Sequence, residues 1–290
     1  MRAPAKINPC LFVGQVRSQD GRHELVSVMQ AVDLADELRL SAAGGAVDEV
    51  HCPGVEGPNL VSAAVAAFRA RTGWDGPPVR IDIRKRIPVA AGMAGGSADA
   101  AAALRLVAAA AGHEEPALLR EIAAGLGADV PAQVRPGRFL ATGAGERVEP
   151  LAPVWPGYAV LVLPSDGALS TPAVYAEFDK LGLQRSAADL AEREREVRAA
   201  TARRPGTLPP ELVVNDLAPA AVSLLPSVGE ALEQVAASGA DHALVSGSGP
   251  TVLGLYGDAR VARTAAQTLR RRHPGLVLTE PVVSAPGRGA

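Results

Sequence analysis

Four short patches of small and polar residues carry the groups in this chain that could do chemistry. Pro4-Ala5-Lys6-Ile7-Asn8 offers an ammonium and a carboxamide two residues apart, on one face of an extended segment. Gly127-Ala128-Asp129-Val130-Pro131 sets one carboxylate in an apolar, sterically fixed surrounding. Ile87-Pro88 leads through Val89, Ala90, Ala91, Gly92, Met93, Ala94, Gly95 and Gly96 to Ser97 and Ala98, a glycine loop running into an alanine-rich helix. Such a loop turns backbone N–H groups and the positive end of the helix dipole toward an anion, and glycine lets a phosphate come close. Ser246-Gly247-Ser248-Gly249-Pro250 could approach a ligand or simply reverse a hairpin.

Each patch taken singly also has a purely structural reading. The glycine loop could be a tight βα connection. The Lys6/Asn8 pair could be solvated residues of an edge strand, and Asp129 a helix cap or Asx-turn. The loop ends in neither the G-K-[ST] of a Walker A motif nor a G-x-G-x-x-G dinucleotide fingerprint. It is the occurrence of all four patches in one chain that asks for a single explanation.

The elements that must position these groups follow from periodicity. Leu11 to Val16 and Leu25 to Leu34 read as strands around the turn-like SQDGRH. Pro58-Asn59 opens a helix whose apolar face is Leu60, Ala64, Ala67 and Phe68, closed by Gly73. Val79 to Ile83 alternates as a strand. After the glycine loop, Ser97 is the expected N-cap of a helix running to Ala111, with Gly112 as its stop. Leu118 to Leu126 reads as a helix ended by Gly127. The proline-dense Pro150 to Gly157 marks a boundary between domains 1–152 and 153–290. Beyond it come a strand from Tyr158 to Leu163 and helices over 171–181, 187–201, 217–224 and 228–238. Strands at 242–245, 251–256 and 276–283 and a helix at 260–273 complete the chain. Interleaving of this kind predicts an α+β or α/β architecture.

Composition narrows the functional classes. At 290 residues and a net charge of −2, the chain has no general attraction for nucleic acid or an anionic membrane. Cys10 and Cys52 fit no metal-ligand spacing and read as free thiols of a reducing compartment. No apolar run reaches the ~18–20 residues that span a bilayer, and Lys6 and Asn8 interrupt the one candidate signal segment. A soluble, cytoplasmic protein without nucleic-acid or membrane partners is the expectation.

With the four patches in view, the chain resembles the GHMP kinase superfamily. APAKIN (3–8), DGRHEL (20–25), IPVAAGMAGGSADAA (87–101), LGADVP (126–131), VVNDLAPAA (213–221) and VSGSGPT (245–251) occur in that family's order and spacing over nearly the whole chain. The resemblance implies an α+β fold of an N-terminal ribosomal-S5-like domain and a C-terminal ferredoxin-like domain. It implies ATP-dependent phosphorylation of a small alcohol; in the branch most similar here, the tertiary 2-hydroxyl of a cytidine-diphosphate-linked methylerythritol. By position, Lys6 and Asp129 become the catalytic pair. A carboxylate that takes the hydroxyl proton makes a poor nucleophile competent, and an ammonium steadies the developing charge. Pro88 to Ala98 would wrap the ATP phosphates, Ser97 would also approach Mg²⁺, and Asn59 and Lys85 would face the adenosine. Asn8 would contact the acceptor, and His23, Tyr175 and Arg22 the cytosine.

Three departures bear on these assignments. Arg22 stands where the family has an aromatic on the cytosine face opposite Tyr175, and a guanidinium can also stack on a base. Ala132 also stands at an aromatic position. They leave open a GHMP kinase for another polyol or nucleotide-linked substrate; against a non-catalytic nucleotide binder stands the retention of both Lys6 and Asp129. Ala90, Ala91 and Ala94 replace loop glycines, which predicts negative φ at those positions.

Overall fold

The computed structural model describes residues 1–55, 57–89, 91–152, 159–164, 167–203 and 208–282. Ala90, Tyr158, Val283 and the 153–157 part of the expected boundary lie outside them. Contacts divide the chain into two compact units that interleave in sequence. One comprises residues 1–5, 34–88 and 94–136, the other 6–33, 89–93 and 137–290.

In the first unit, the end of β2 (His23–Ala42) pairs antiparallel with β4 (Val79–Arg84), Leu38 opposite Ile83 and Leu40 opposite Ile81. The short β3 (Glu49–His51) adds in parallel to β4. Alternation puts Val79, Ile81 and Ile83 inward, as the period-two pattern requires. They pack on α1 (Leu60–Thr72) and α2 (Gly95–Ala111). The alanine run of α2 is core: Ala98, Ala100–Ala103, Leu104, Val107 and Ala108 are all buried against Val61, Val65 and Phe68 of α1. Small side chains let the helices approach closely and lose no rotamer entropy on folding. α3 (Pro116–Ala124) and the single turn α4 (Val130–Gln133) close this core with Leu119, Ile122 and Val130. Asn59 caps α1 by accepting the Val61 N–H, and Gly73 ends it in the left-handed region, as read from sequence.

In the second unit, β7 (Ala159–Leu163), β8 (His242–Val245), β9 (Val252–Tyr256) and β10 (Val277–Thr279) form an antiparallel sheet in the order β10-β7-β9-β8. With α7 (Ala218–Leu224) and α8 (Ser227–Ala237) after β7, and α9 (Ala259–Leu269) after β9, this is the βαββαβ arrangement of a ferredoxin-like domain. Val228, Val235, Ala262, Ala266 and Leu269 cover one face of the sheet. Elsewhere in this unit, β2 pairs antiparallel with β5 (Arg138–Thr142), and β5 with β6 (Arg147–Pro150). α6 (Ala187–Arg203) lays Leu190 and Val197 on Cys10, Phe12, Val26 and Val28 of β1 (Arg2–Val16) and β2. α5 (Thr171–Lys180) packs Val174 and Phe178 on Leu11 and Val13. Both cysteines are free thiols; burial pushes that of Cys10 up to about 12, so it is inert.

Several expectations are corrected. β1 and β2 run well past the stretches read from alternation, because their extensions mix buried apolar residues such as Ala3, Ile7 and Leu38 with buried polar ones such as Lys6, Asn8 and Asp36. α3 starts at Pro116, whose lost N–H costs nothing in a first turn, and stops at Gly125, not Gly127. α9 ends at Leu269, leaving Arg270 at its C-terminus. Ser97 is not the N-cap of α2: the helix begins at Gly95, and Ala94 precedes it at φ 53°, ψ 37° with no side-chain cap. Ala94 therefore sits in the left-handed region, against the negative φ expected, the one non-glycine residue with positive φ among the described residues. A methyl there costs about 1–2 kcal/mol. Ala94→Gly is expected to stabilise the protein by about 1 kcal/mol, since glycine's larger unfolded-state entropy offsets part of the relief. A urea midpoint raised at constant slope would show it; an unchanged or lower midpoint would contradict the strain.

Candidate active site

Within the second unit, β1 places Lys6 and Asn8 on one face, and both are buried, at 8% and 2% exposure. Solvated residues of an edge strand they are not. Lys6 Nζ donates to Asn8 Oδ1 at 2.7 Å, Asn8 Nδ2 donates to Ser27 Oγ at 2.7 Å, and Ser27 Oγ donates to the Cys10 carbonyl. An ammonium held this far from water is kept in place by the carboxamide beside it. The Lys6 backbone N–H donates to the Met93 carbonyl at 3.2 Å, so this unit brings the end of the glycine loop to the lysine.

The same loop segment seats on the Ser246–Pro250 turn between β8 and β9. Ser246 Oγ donates to the Gly92 carbonyl at 3.1 Å. A Cβ on Gly92 would lie 2.0 Å from the Ser246 carbonyl oxygen, and φ there is +67°. Gly92→Ala therefore cannot be accommodated without shifting the loop. A displacement of about 1 Å near reacting groups costs roughly 10²-fold in rate, so kcat/KM is expected to fall by about that factor. Wild-type kinetics from Gly92→Ala would refute the seating.

In the first unit the loop continues as the first turn of α2. Gly95, Gly96 and Ser97 sit at the helix N-terminus, where free N–H groups collect; Ala98 is buried behind them. Gly96 is open, with only Leu60 Cδ1 near at 3.8 Å, and Val89, of the other unit, is 66% exposed. Lys85 is held by two carboxylates, 2.5 Å from Asp36 Oδ2 and 2.7 Å from Asp99 Oδ2. Asp36 also accepts the Arg86 and Ile87 N–H groups, so it fixes the exit from β4 into the loop. Burial pushes the Asp99 carboxyl up to about 7 against the pull of the Lys85 ammonium. Burial alone would lower Lys85, but its two carboxylates prevail and raise it. Asp129 precedes α4, partly exposed, and its side chain does not cap that helix, so the cap reading is not met.

Asp36 and Asp99 were not singled out from sequence. A signal exists for Asp36, since alternation in LADELRL sets it on the face of the buried Leu38. Asp99 carries no such mark within an alanine run.

At the other end of β1 in the second unit, His23 lies between α5 side chains. Its ring centroid is 4.9 Å from Tyr175, and its Nε2 is 2.8 Å from Asp179 Oδ1. Arg22 donates to the Ala144 carbonyl at 2.9 Å, while Arg17 bridges Asp20 and Glu146. These contacts brace the 17–22 turn beside the 143–146 turn.

Among the described residues no cluster of three His, Cys, Asp or Glu side chains could cage a metal, and no helix is long and apolar enough to cross a membrane.

The chain matches the families described as GHMP kinases N terminal domain over residues 59–137 and GHMP kinases C terminal over residues 197–275. It is 43% identical to the 4-diphosphocytidyl-2-C-methyl-D-erythritol kinase of Streptomyces coelicolor, over 93% of this chain and 91% of that protein. A crystal structure of 4-(cytidine 5'-diphospho)-2C-methyl-D-erythritol kinase superposes with TM-score 0.76 at 32% identity, covering 96% of this chain and 97% of that one. A homoserine kinase from Cytophaga hutchinsonii, at 19% identity and TM-score 0.67 over 96% and 94% of the two chains, shares the fold. Loop, lysine and two-domain architecture thus coincide with full-length similarity, and the chain belongs to the 4-diphosphocytidyl-2-C-methyl-D-erythritol kinase family of the GHMP kinases.

Proposed function

We propose that the protein transfers the γ-phosphoryl group of ATP to the tertiary 2-hydroxyl of 4-diphosphocytidyl-2-C-methyl-D-erythritol, a step of the non-mevalonate route to isoprenoids. The observation that carries this reading is the buried Lys6–Asn8 pair, with the Lys6 N–H on the Met93 carbonyl of the glycine loop. In the mechanism, Asp129 accepts the proton of the acceptor hydroxyl. The freed oxygen bonds to the γ-phosphorus as the bond to the β–γ bridging oxygen breaks, and ADP leaves. Lys6 stabilises the negative charge on the transferring group. Its hydrogen bond to Asn8 fixes the ammonium, and Asn8 also faces the acceptor.

Pro88 to Ala98 form the phosphate loop, with contact concentrated on the backbone of Gly92 and of Gly95 to Ser97; Asn59 and Lys85 face the adenosine. His23, Tyr175 and Arg22 take the cytosine. Mg²⁺ binds chiefly through substrate phosphates, water and a few protein oxygens, and the Ser97 hydroxyl in the first turn of α2 would be one oxygen this chain offers it. When bound, the ion would neutralise charge on the transferring phosphoryl group. The family's domains are assigned to 1–152 and 153–290, the two family matches falling on either side of that cut. We place the protein in the cytoplasm, as a monomer or weak homodimer without nucleic-acid or membrane partners.

The test is a coupled ADP-release assay with purified protein, ATP, MgCl₂ and the cytidine-diphosphate methylerythritol. ADP release dependent on that alcohol is expected. Turnover of homoserine or mevalonate in its place would overturn the substrate assignment.

A further inference from the structure

The geometry points to Asn215 as a positioning residue that sets the glycine loop against Lys6 by way of the Ser246–Pro250 turn. This rests on the reading of that loop as the ATP loop. Asn215 is 6% exposed, far in sequence from every residue given a role above. Its side chain makes three hydrogen bonds: Nδ2 donates to the carbonyls of Val245 and Gly247, both at 2.7 Å, and Oδ1 accepts the Leu217 N–H at 2.9 Å. The two carbonyls bracket Ser246. That residue meets the loop twice, through its hydroxyl on the Gly92 carbonyl and through its own carbonyl, which occupies the space a Cβ on Gly92 would need. Gly247 is close to the loop as well, since a Cβ there would lie 3.0 Å from the Gly92 carbonyl oxygen.

The backbone around Asn215 is fastened to the strand that carries the lysine. Leu11 N–H donates to the Val214 carbonyl at 2.7 Å, and Asp216 N–H to the Leu11 carbonyl at 2.9 Å. The Asp216 carboxylate accepts the Val13 N–H and two bonds from Arg185. A closed circuit results: β1 holds residues 214–216, Asn215 holds the turn, the turn seats Gly92, and Met93 returns to β1 at the Lys6 N–H. A residue that only filled a core would not need to fix the two peptides on either side of the loop's contact point. Asn215 therefore transmits the position of β1 to the loop and keeps loop and lysine in register.

Three proteins test this: wild type, Asn215→Ala, and the milder Ser246→Ala, which removes only the hydroxyl bond to Gly92 and spares the fold. Hydrogen exchange at residues 91–94 is expected to quicken about tenfold in both variants, the scale of one net hydrogen bond. Exchange in β7 and β9 is expected to stay unchanged. KM for ATP is expected to rise about tenfold, with KM for the alcohol within twofold of wild type. Unchanged exchange in Ser246→Ala, or faster exchange with an unmoved KM for ATP, would overturn the proposal. A wild-type protein that turned over no ATP would sink the kinase reading of the loop, while exchange at 91–94 still decides whether Asn215 positions it.

Discussion

Asp129→Ala is expected to lower kcat by about 10²–10⁴-fold, the usual contribution of general acid–base assistance, with KM for ATP close to wild type. Asp129 stands ahead of the four-residue α4, partly exposed, and its carboxylate does not cap that helix. The kinetic expectation follows from the chemistry, because a tertiary alcohol is a weak nucleophile until its proton has somewhere to go. Asp129→Asn separates the two contributions, since it keeps the shape and loses the base. Steady-state ADP release and an ATP titration on both variants are the measurements. A kcat within threefold of wild type in Asp129→Asn would remove Asp129 from the proton transfer.

Much of the fold was legible because local rules and tertiary demands agree. Asn59 and Gly73 bound α1 by capping chemistry alone, and the alternation in Val79–Ile83 gave both the strand and its buried face. The strand, strand, helix, strand order of β8, β9, α9 and β10 follows from period changes between 242 and 279. What failed were places where distant contacts overrule local preference. Ala94 adopts the left-handed region because the loop must turn there into α2, and nothing in an alanine's own preference announces it.

The candidate residues can be read from the sequence; the interlocks that hold them in the fold cannot. Lys6 and Asn8 share a face in any extended strand, so their hydrogen bond was foreseeable; their burial was not. The seating of Gly92 on Ser246 joins positions 154 apart, and only the tertiary fold brings them together. Asn215 lies in a stretch quoted from sequence without a role, because its function is to hold two carbonyls that no pattern in the sequence displays.

Asp36→Ala is expected to destabilise the protein by about 3–5 kcal/mol, the range for removing one partner from a buried ion pair. Asp36 is fully buried, and every bond described for it is made inside the protein. Its loss leaves the Lys85 ammonium with Asp99 alone and strips the Arg86 and Ile87 N–H groups of their acceptor. Asp99→Asn is expected to cost less. Two carboxylates face one ammonium there, Asp99 is the one raised toward neutrality by burial, and its Oδ1 already lacks a hydrogen-bond partner. Replacing Asp99 by its neutral isostere removes the surplus negative charge while Asp36 still pairs with Lys85. Urea unfolding of both variants gives the comparison, provided the slope stays constant. The account fails if Asp36→Ala lies within about 1 kcal/mol of wild type or if Asp99→Asn proves the more damaging. Because Asp36 ties down the two peptides that lead from β4 into Pro88, its loss is also expected to raise KM for ATP where enough folded protein remains to measure it.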